Sequence, residues 1–296
     1  MKLVTFEQGN DIRVGALIDG LAGERVVDFT HIDTRIPKDM LALLAGGPAV
    51  MALAAAALKT ASAEHQYPRP AVKLKAPIPR PGKIICIGLN YRDHAAESNQ
   101  PVPEFPTVFA KYANVVVGPG EAIVLPKVTE QIDYEAEFAV VIGRTAKDVR
   151  EEDALDYVAG YVPFNDVSAR DFQMRTSQWT MGKTFDTFGP MGPALVTADE
   201  IPDPHALDIT LTIDGEVLQS SNTRNLIFTV PQLIADLSAV MTLEPGDIIS
   251  TGTPGGVGAA RTPKRWLRAG ETVCVEIQGL GVLENPVVAW NDVSRQ

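Results

Sequence analysis

Short apolar runs cut by Gly and Pro make up most of this chain. From residue 83 onward KIICIG, TVFAK, EAIVL, AEFAVVIG, VAGYVPF, PALVT, LDITLTIDGEVL, GDIISTG, ETVCVEI and GVLENPVV follow one another. Most are rich in β-branched residues and bounded by turn formers, the pattern of strands. The Asp-Gly pair inside TIDGEVLQSS predicts a hairpin. Helical spacing is confined to EEDALDY (151–157) and VPQLIADLSAVM (230–241). Ahead of residue 70, LVTF, RVGALID and RVVDF read as strands, while PKDMLALLAG and PAVMALAAAALKTASAEH read as helices with prolines in their first turns. Five prolines in residues 67–83 mark an extended connector. The pattern predicts a small α+β unit over 1–74 and a β-rich α+β domain over 75–296.

One strand carries charges where its neighbours carry none. IDYEAEFAVVIG (132–143) has Asp133, Glu135 and Glu137 at alternating positions just before an apolar run. Side chains alternate faces along a strand, so Glu135 and Glu137 share one face with Asp133 in line. Like charges about 7 Å apart repel unless something lies between them. The pattern fits a solvated face of an edge strand, or oxygen ligands around a hard divalent cation. GYVPFNDVSARD (160–171) adds Asp166 at a strand end, a place where Asp is usually a turn former. With Glu135 and Glu137 it completes an all-carboxylate set, which suits Mg²⁺ or Mn²⁺ better than zinc.

CIGLNYRDHAAESN (86–99) ends a strand at Gly88 and can open a helix near Asp93, a good N-cap residue. On that helix His94 and Glu97 lie three residues apart on one face. A carboxylate that holds an imidazole fixes its tautomer and stabilises its cation, the arrangement of a general base. A surface His–Glu pair has the same spacing. Lys183, in MGKTFDTFGPMGP, is a candidate fixed charge for an anionic substrate, or a solvated lysine. STGTPGGVGAAR (250–261) matches neither a dinucleotide fingerprint nor a P-loop. It can offer backbone N–H groups and Thr253 to a small carboxylate, or serve as a tight turn.

Charge and composition narrow the partners. A net charge of −11 and a pI near 4.9 disfavour nucleic acid. Cys86 and Cys274 sit in apolar runs and fit a reducing compartment. MKLVTFEQGN turns polar too early for a signal peptide, and the longest apolar stretch, AVMALAAAAL, is too short to span a bilayer. These features predict a soluble cytoplasmic protein.

Taken in order, GLNYRDH, DYEAEFAVVIG, NDVSARDFQ, GKTFDTFGPMGPALVT and GDIISTGTPGGVG closely resemble the fumarylacetoacetate hydrolase superfamily, above all its domain-containing protein 2 branch. The resemblance runs from about residue 80 to the C-terminus. It implies a mixed β-sandwich roll, usually a homodimer, preceded by a small N-terminal domain. It implies Mg²⁺ or Mn²⁺ on Glu135, Glu137 and Asp166, and a water-activating dyad of His94 and Glu97. Lys183 falls near the metal, and Arg170, Gln173 and Thr253 line the substrate pocket. Two positions depart from the usual pattern: Phe172 replaces a Trp, and FAKYANVVVGPG lacks a proline after Lys111. The activity implied first is metal-dependent C–C hydrolysis of 1,3-diketo acids of the acylpyruvate or fumarylacetoacetate kind, through a metal-bound enolate. The same site suits oxaloacetate keto–enol tautomerisation or decarboxylation. A non-catalytic metal-dependent binding protein is the alternative outside enzymes. ESNQPVPEFP (97–106), between dyad and next strand, is the expected lid.

Overall fold

The structure, a computed structural model, describes residues 1–21 and 23–293. The elements used below are β1 Lys2–Gln8, β2 Asp11–Gly20, β3 Gly23–Asp28, β4 Ile84–Gly88, β5 Thr107–Lys111, β6 Ala136–Ile142, β7 Val158–Asn165 and β8 Leu195–Thr197. They continue with β9 Asp208–Ile213, β10 Glu216–Asn222, β11 Ile248–Ser250, β12 Thr272–Ile277 and β13 Gly281–Ala289. The helices are α1 Met40–Ala45, α2 Gly47–Thr60, α3 Arg92–Glu97 and α4 Val230–Val240.

Among the described residues, the larger sheet has eleven strands. Its path runs from Gln66–Pro68 through β3, β2, β1, β8, β7, β6, β11, β4 and β5, and Lys73–Leu74 pairs with β1 off that path. A second sheet of five strands runs β10, β9, β12, β13 and Ile123–Leu125. The faces of β6 and β7 pack on β9, β12 and β13, and side chains from both sheets form the main core. The fold is therefore mixed α+β and strand-rich. The boundary expected near residue 75 falls in the connector between Lys73–Leu74 and β4, and the larger sheet runs across it because β1 pairs with β8.

Local sequence explains the elements. Every residue of β6 is buried, so its unbroken apolar run suits a strand covered on both faces. In β9 burial alternates, as a strand with one covered face requires. Asp214 and Gly215 turn β9 into β10 with φ of 50° and 84°, the signs a two-residue type I′ turn needs. Thr229 and Gln232 form a capping box at the start of α4, with a proline in its first turn. EEDALDY forms a 3₁₀ helix, Glu151–Tyr157, rather than an α-helix. No helix among the described residues is long and apolar enough to cross a membrane.

Candidate active site

The strand that raised the question is broken at the site. Ile132–Asp133 pairs with Ser168–Ala169, and β6 starts only at Ala136. Between them the main chain is held by side chains. Asn165 Oδ1 accepts from Glu135 N at 3.1 Å, and Gln219 Oε1 accepts from Ala136 N at 2.8 Å. The Asp166 amide then donates to Glu135 O at 3.0 Å, which draws the end of β7 alongside the break. In this way Asn165, the residue before Asp166, brings two distant acids together.

Glu135, Glu137 and Asp166 are buried, and each offers a carboxylate oxygen within 4.8 Å of the other two. Asp133 is not in line with them, contrary to the alternation expected from an unbroken strand. It turns away to accept from Gly258 N at 2.7 Å, Ala259 N at 2.9 Å and Arg170 Nε at 2.8 Å. The break at Tyr134–Glu135 resets the parity on which that expectation rested.

The charges are almost balanced by buried cations. Lys183 Nζ lies 2.7 Å from Glu135 and 2.8 Å from Asp166. Lys111 Nζ donates to Asp166 and, at 3.1 Å, to Val167 O. Arg170 reaches Glu135 at 2.7 Å as well as Asp133. Burial alone raises the Glu135 carboxyl, but Lys183 and Arg170 outweigh it and hold it at about 2. Burial pulls Lys183 down, but Asp166 and Glu135 raise it above the usual lysine range. Burial pulls Lys111 down, with Asp166 offsetting only part of that effect.

Glu137 is the exception. It accepts from Ser250 Oγ and, at 3.1 Å, from Gly252 N, both neutral donors. Burial, then Asp166 and Glu135, push its carboxyl well above the usual range. Four carboxylates thus face three cations among the described residues, and the unmatched one is Glu137. An all-oxygen donor set short of one positive charge fits a hard divalent cation.

His94 and Glu97 come together on α3: His94 Nδ1 lies 3.5 Å from Glu97 Oε2, close to it but without a hydrogen bond. Asp93, expected as the N-cap, sits inside the first turn behind Tyr91. There it accepts from the His94 amide at 2.9 Å and takes a proton donor from Ser221. The Glu97 carboxylate is also held by main chain: Gly256 N lies 2.9 Å from both of its oxygens, including the Oε2 that faces His94. The glycine-rich loop therefore spends its amides on protein carboxylates, on Glu137, Glu97 and Asp133 in turn.

His94, Glu135, Glu137, Lys183, Arg170, Gln173 and Thr253 all line one cavity of about 500 Å³. The three expected substrate contacts differ in what they have left to offer. Arg170 is committed to Asp133, Glu135 and Gln173 Oε1. The Thr253 hydroxyl donates to Ala136 O and accepts from Gln219. Gln173 gives its carbonyl to Arg170, so its amide NH₂ is the donor that remains. Aromatic residues form another part of the lining. Phe109 meets Trp179 edge-on at 5.5 Å and lies 5.0 Å below Lys183 Nζ. Gly88 is needed there, since a Cβ would stand 2.3 Å from the Trp179 ring.

Residues missed by pattern reading are the supports: Asn165, Gln219, Ser250 and, in part, Lys111. Only Lys111 left a trace, through the proline of the family pattern that is missing after it. An amide or hydroxyl in a strand carries no signal of what it will face.

Residues 83–288 match the family described as fumarylacetoacetate (FAA) hydrolase C-terminal. The chain is 45% identical over 290 residues to "Oxaloacetate tautomerase fahd2, mitochondrial" of Xenopus laevis, covering 97% of this chain and 90% of that protein. It superposes on a putative HpcE protein from Mycobacterium smegmatis with a TM-score of 0.86 and 36% identity, covering 98% of this chain and 100% of that one. Maleylpyruvate hydrolase from Sphingobium sp. SYK-6, in complex with manganese (II) ion and pyruvate, gives 0.81 and 32%, covering 98% and 99%. The names overturn the cytoplasmic expectation: the Xenopus relative and those of rat, cattle and human are all named mitochondrial. Two free cysteines and an ordinary composition do not distinguish one compartment from another.

Proposed function

Because the chain belongs to the fumarylacetoacetate hydrolase family, we propose that it interconverts the keto and enol forms of oxaloacetate, a small 2-keto dicarboxylic acid. The observation that carries this reading is likeness over 97% of the chain to relatives named for that reaction. Carbon–carbon hydrolysis, the activity expected first from the sequence, has weaker support. The neighbours named as hydrolases share 32–34% identity.

The residues suit the chemistry. Glu135, Glu137 and Asp166 would hold a divalent cation, Mg²⁺ or Mn²⁺, which when bound acts as a Lewis acid toward the substrate's oxygens. Lys183, fixed between two of those acids, presents a positive charge where the enolate oxygen develops. His94 turns Nδ1 toward Glu97, which leaves Nε2 to take the proton from the carbon next to the keto group. The electron pair of that C–H bond becomes the C=C bond, and the C=O pair moves onto oxygen. Glu97 stabilises the imidazolium so formed, and the proton is delivered to the oxygen to give the enol. Phe109 and Trp179 add aromatic surface to the cavity.

The test is spectrophotometric. Enol-oxaloacetate and an acylpyruvate are each given to the wild type with saturating Mg²⁺. Rapid loss of the enol with an intact acylpyruvate supports the tautomerase. Rapid cleavage of the acylpyruvate, with oxaloacetate equilibrating at the solvent rate, replaces it with the hydrolase.

A further inference from the structure

We propose that Arg261 is a positioning residue for His94, acting through the Gly256 peptide and Glu97 without touching substrate or imidazole. The inference rests on the dyad of the proposed function and extends it to a residue outside the cavity lining.

Glu97 is not held by its own helix. Its two oxygens share the Gly256 N–H at 2.9 Å, across 159 residues of sequence. Hydrogen bonds from an amide to a carboxylate are about twice as strong as neutral ones. The carboxylate therefore sits where residue 256 places it. Residue 256 in turn has an unusual backbone. Its φ is +103°, and a Cβ there would stand 2.2 Å from Leu218 O. Only glycine fits, and glycine supplies no side chain to hold the turn.

Arg261 supplies the hold. Its Nε donates to Gly256 O at 3.1 Å, and its Nη2 donates to Leu218 O. Tyr134 Oη adds a weaker bond to Gly256 O at 3.3 Å. The guanidinium thus clamps the loop to β10 through the very carbonyl that crowds Gly256. A planar fork reaching two acceptors suits Arg and not Lys. The other end of α3 is tied to the same strand, since Ser221 donates to Asp93. One edge strand therefore locates both ends of the helix that carries His94: directly at Asp93, and through Arg261 and Gly256 at Glu97. Removing the clamp frees the turn, and the carboxylate drifts from the imidazole while the metal-binding acids keep their own partners.

The experiment is a double-mutant cycle on the full chain with Mg²⁺, reading oxaloacetate tautomerisation. The variants are Arg261→Gln, Glu97→Gln and the pair together, with Arg261→Lys as the conservative control. A misplaced general base forfeits part of its contribution of about 10²–10⁴-fold, and a loss of about 10–100-fold is expected. Arg261→Gln is expected to lower kcat in that range with little change in KM, and to shift the pH profile of kcat as Glu97→Gln does. The pair should be no slower than Glu97→Gln alone, because both act at one point. Arg261→Lys should recover part of the rate. Mn²⁺ affinity, measured by electron paramagnetic resonance, should stay at the wild-type value. Multiplying losses in the pair, or an unshifted pH profile for Arg261→Gln, overturns the proposal. A slow Arg261→Gln beside a fully active Glu97→Gln overturns both it and the dyad. Should Arg261→Gln fail to fold, the same cycle with Arg261→Lys decides by the same criteria.

Discussion

The two halves of the site are built on opposite plans. The carboxylate cluster lies between β6, β7 and β11, with every member buried and nearly every charge answered by a lysine or arginine. The dyad stands on a six-residue helix, partly exposed, followed by a loop that faces solvent. One part holds charges against their own repulsion and belongs to the core. The other, on the proposed function, presents an imidazole and admits substrate. Loss of a cluster residue should therefore damage folding as well as chemistry, and loss of a dyad residue should damage chemistry alone.

Asp166 gives the largest contrast. It carries both Lys111 and Lys183, and Lys111 has otherwise only a main-chain carbonyl. Breaking a buried pair by removing one partner costs about 3–5 kcal/mol. Asp166→Asn should lose that much in denaturant unfolding and should lose Mn²⁺ binding and activity together. Adding Lys111→Met should restore much of the stability and none of the metal affinity. Full stability in Asp166→Asn would show that the cluster is not part of the fold's support, and the comparison would fail.

His94→Ala should show the reverse. Activity should fall about 10²–10⁴-fold, the usual contribution of a general base. Unfolding free energy should fall by about 1 kcal/mol or less, since the 13%-exposed imidazole makes no hydrogen bond through Nδ1, and Mn²⁺ affinity should hold. An inactive variant that also unfolds early would place His94 with the core.

How much of this division was legible in the sequence follows from the same physics. The strands were readable because β-branched runs between turn formers report burial and period. The three acids and the His94–Glu97 pair stood out by spacing, but spacing alone left a solvated strand face and a surface pair open, and only the family resemblance favoured a site. Asp133 misled, since its alternation with Glu135 is true of the sequence and broken by the chain at Tyr134. The uses of Arg170 and of the loop amides were illegible. An arginine that could meet substrate and one committed to Asp133 and Glu135 read alike, and a backbone N–H has no letter at all.

Acid should separate the halves more gently. Glu135 is held at about 2, below the ordinary glutamate value of 4.5, with burial opposed and outweighed by Lys183 and Arg170. A carboxyl depressed in the folded state contributes stability above its unfolded pKa and loses it as pH falls toward the folded one. Stability should therefore decline between about pH 4.5 and 2, and Glu135→Gln should flatten that part of the profile. The check is the unfolding midpoint against pH for both proteins without added metal. Parallel curves would mean that Glu135 is not held by its cations.

The smallest effect expected is a change in mobility beside the dyad. Residues 98–106 leave α3 from Ser98 and carry Pro101, Pro103 and Pro106, which remove three amide donors that a strand or helix would use. Val102 and Phe105 are 54% and 70% exposed, so this segment contributes little to the core. Ser98 and Gln100 nevertheless line the cavity with Glu135 and Lys183. A segment with few buried contacts opens at low free energy, and a ligand beneath it can shift that equilibrium. Closure over the substrate would exclude water while a proton moves between carbon and oxygen. The amides of Val102, Glu104 and Phe105 report it directly. Their hydrogen exchange should slow when oxalate and Mg²⁺ are added together, while amides of β6, buried throughout, should not change. Exchange at those three amides that is the same with and without oxalate would leave the dyad half as fixed as the cluster half.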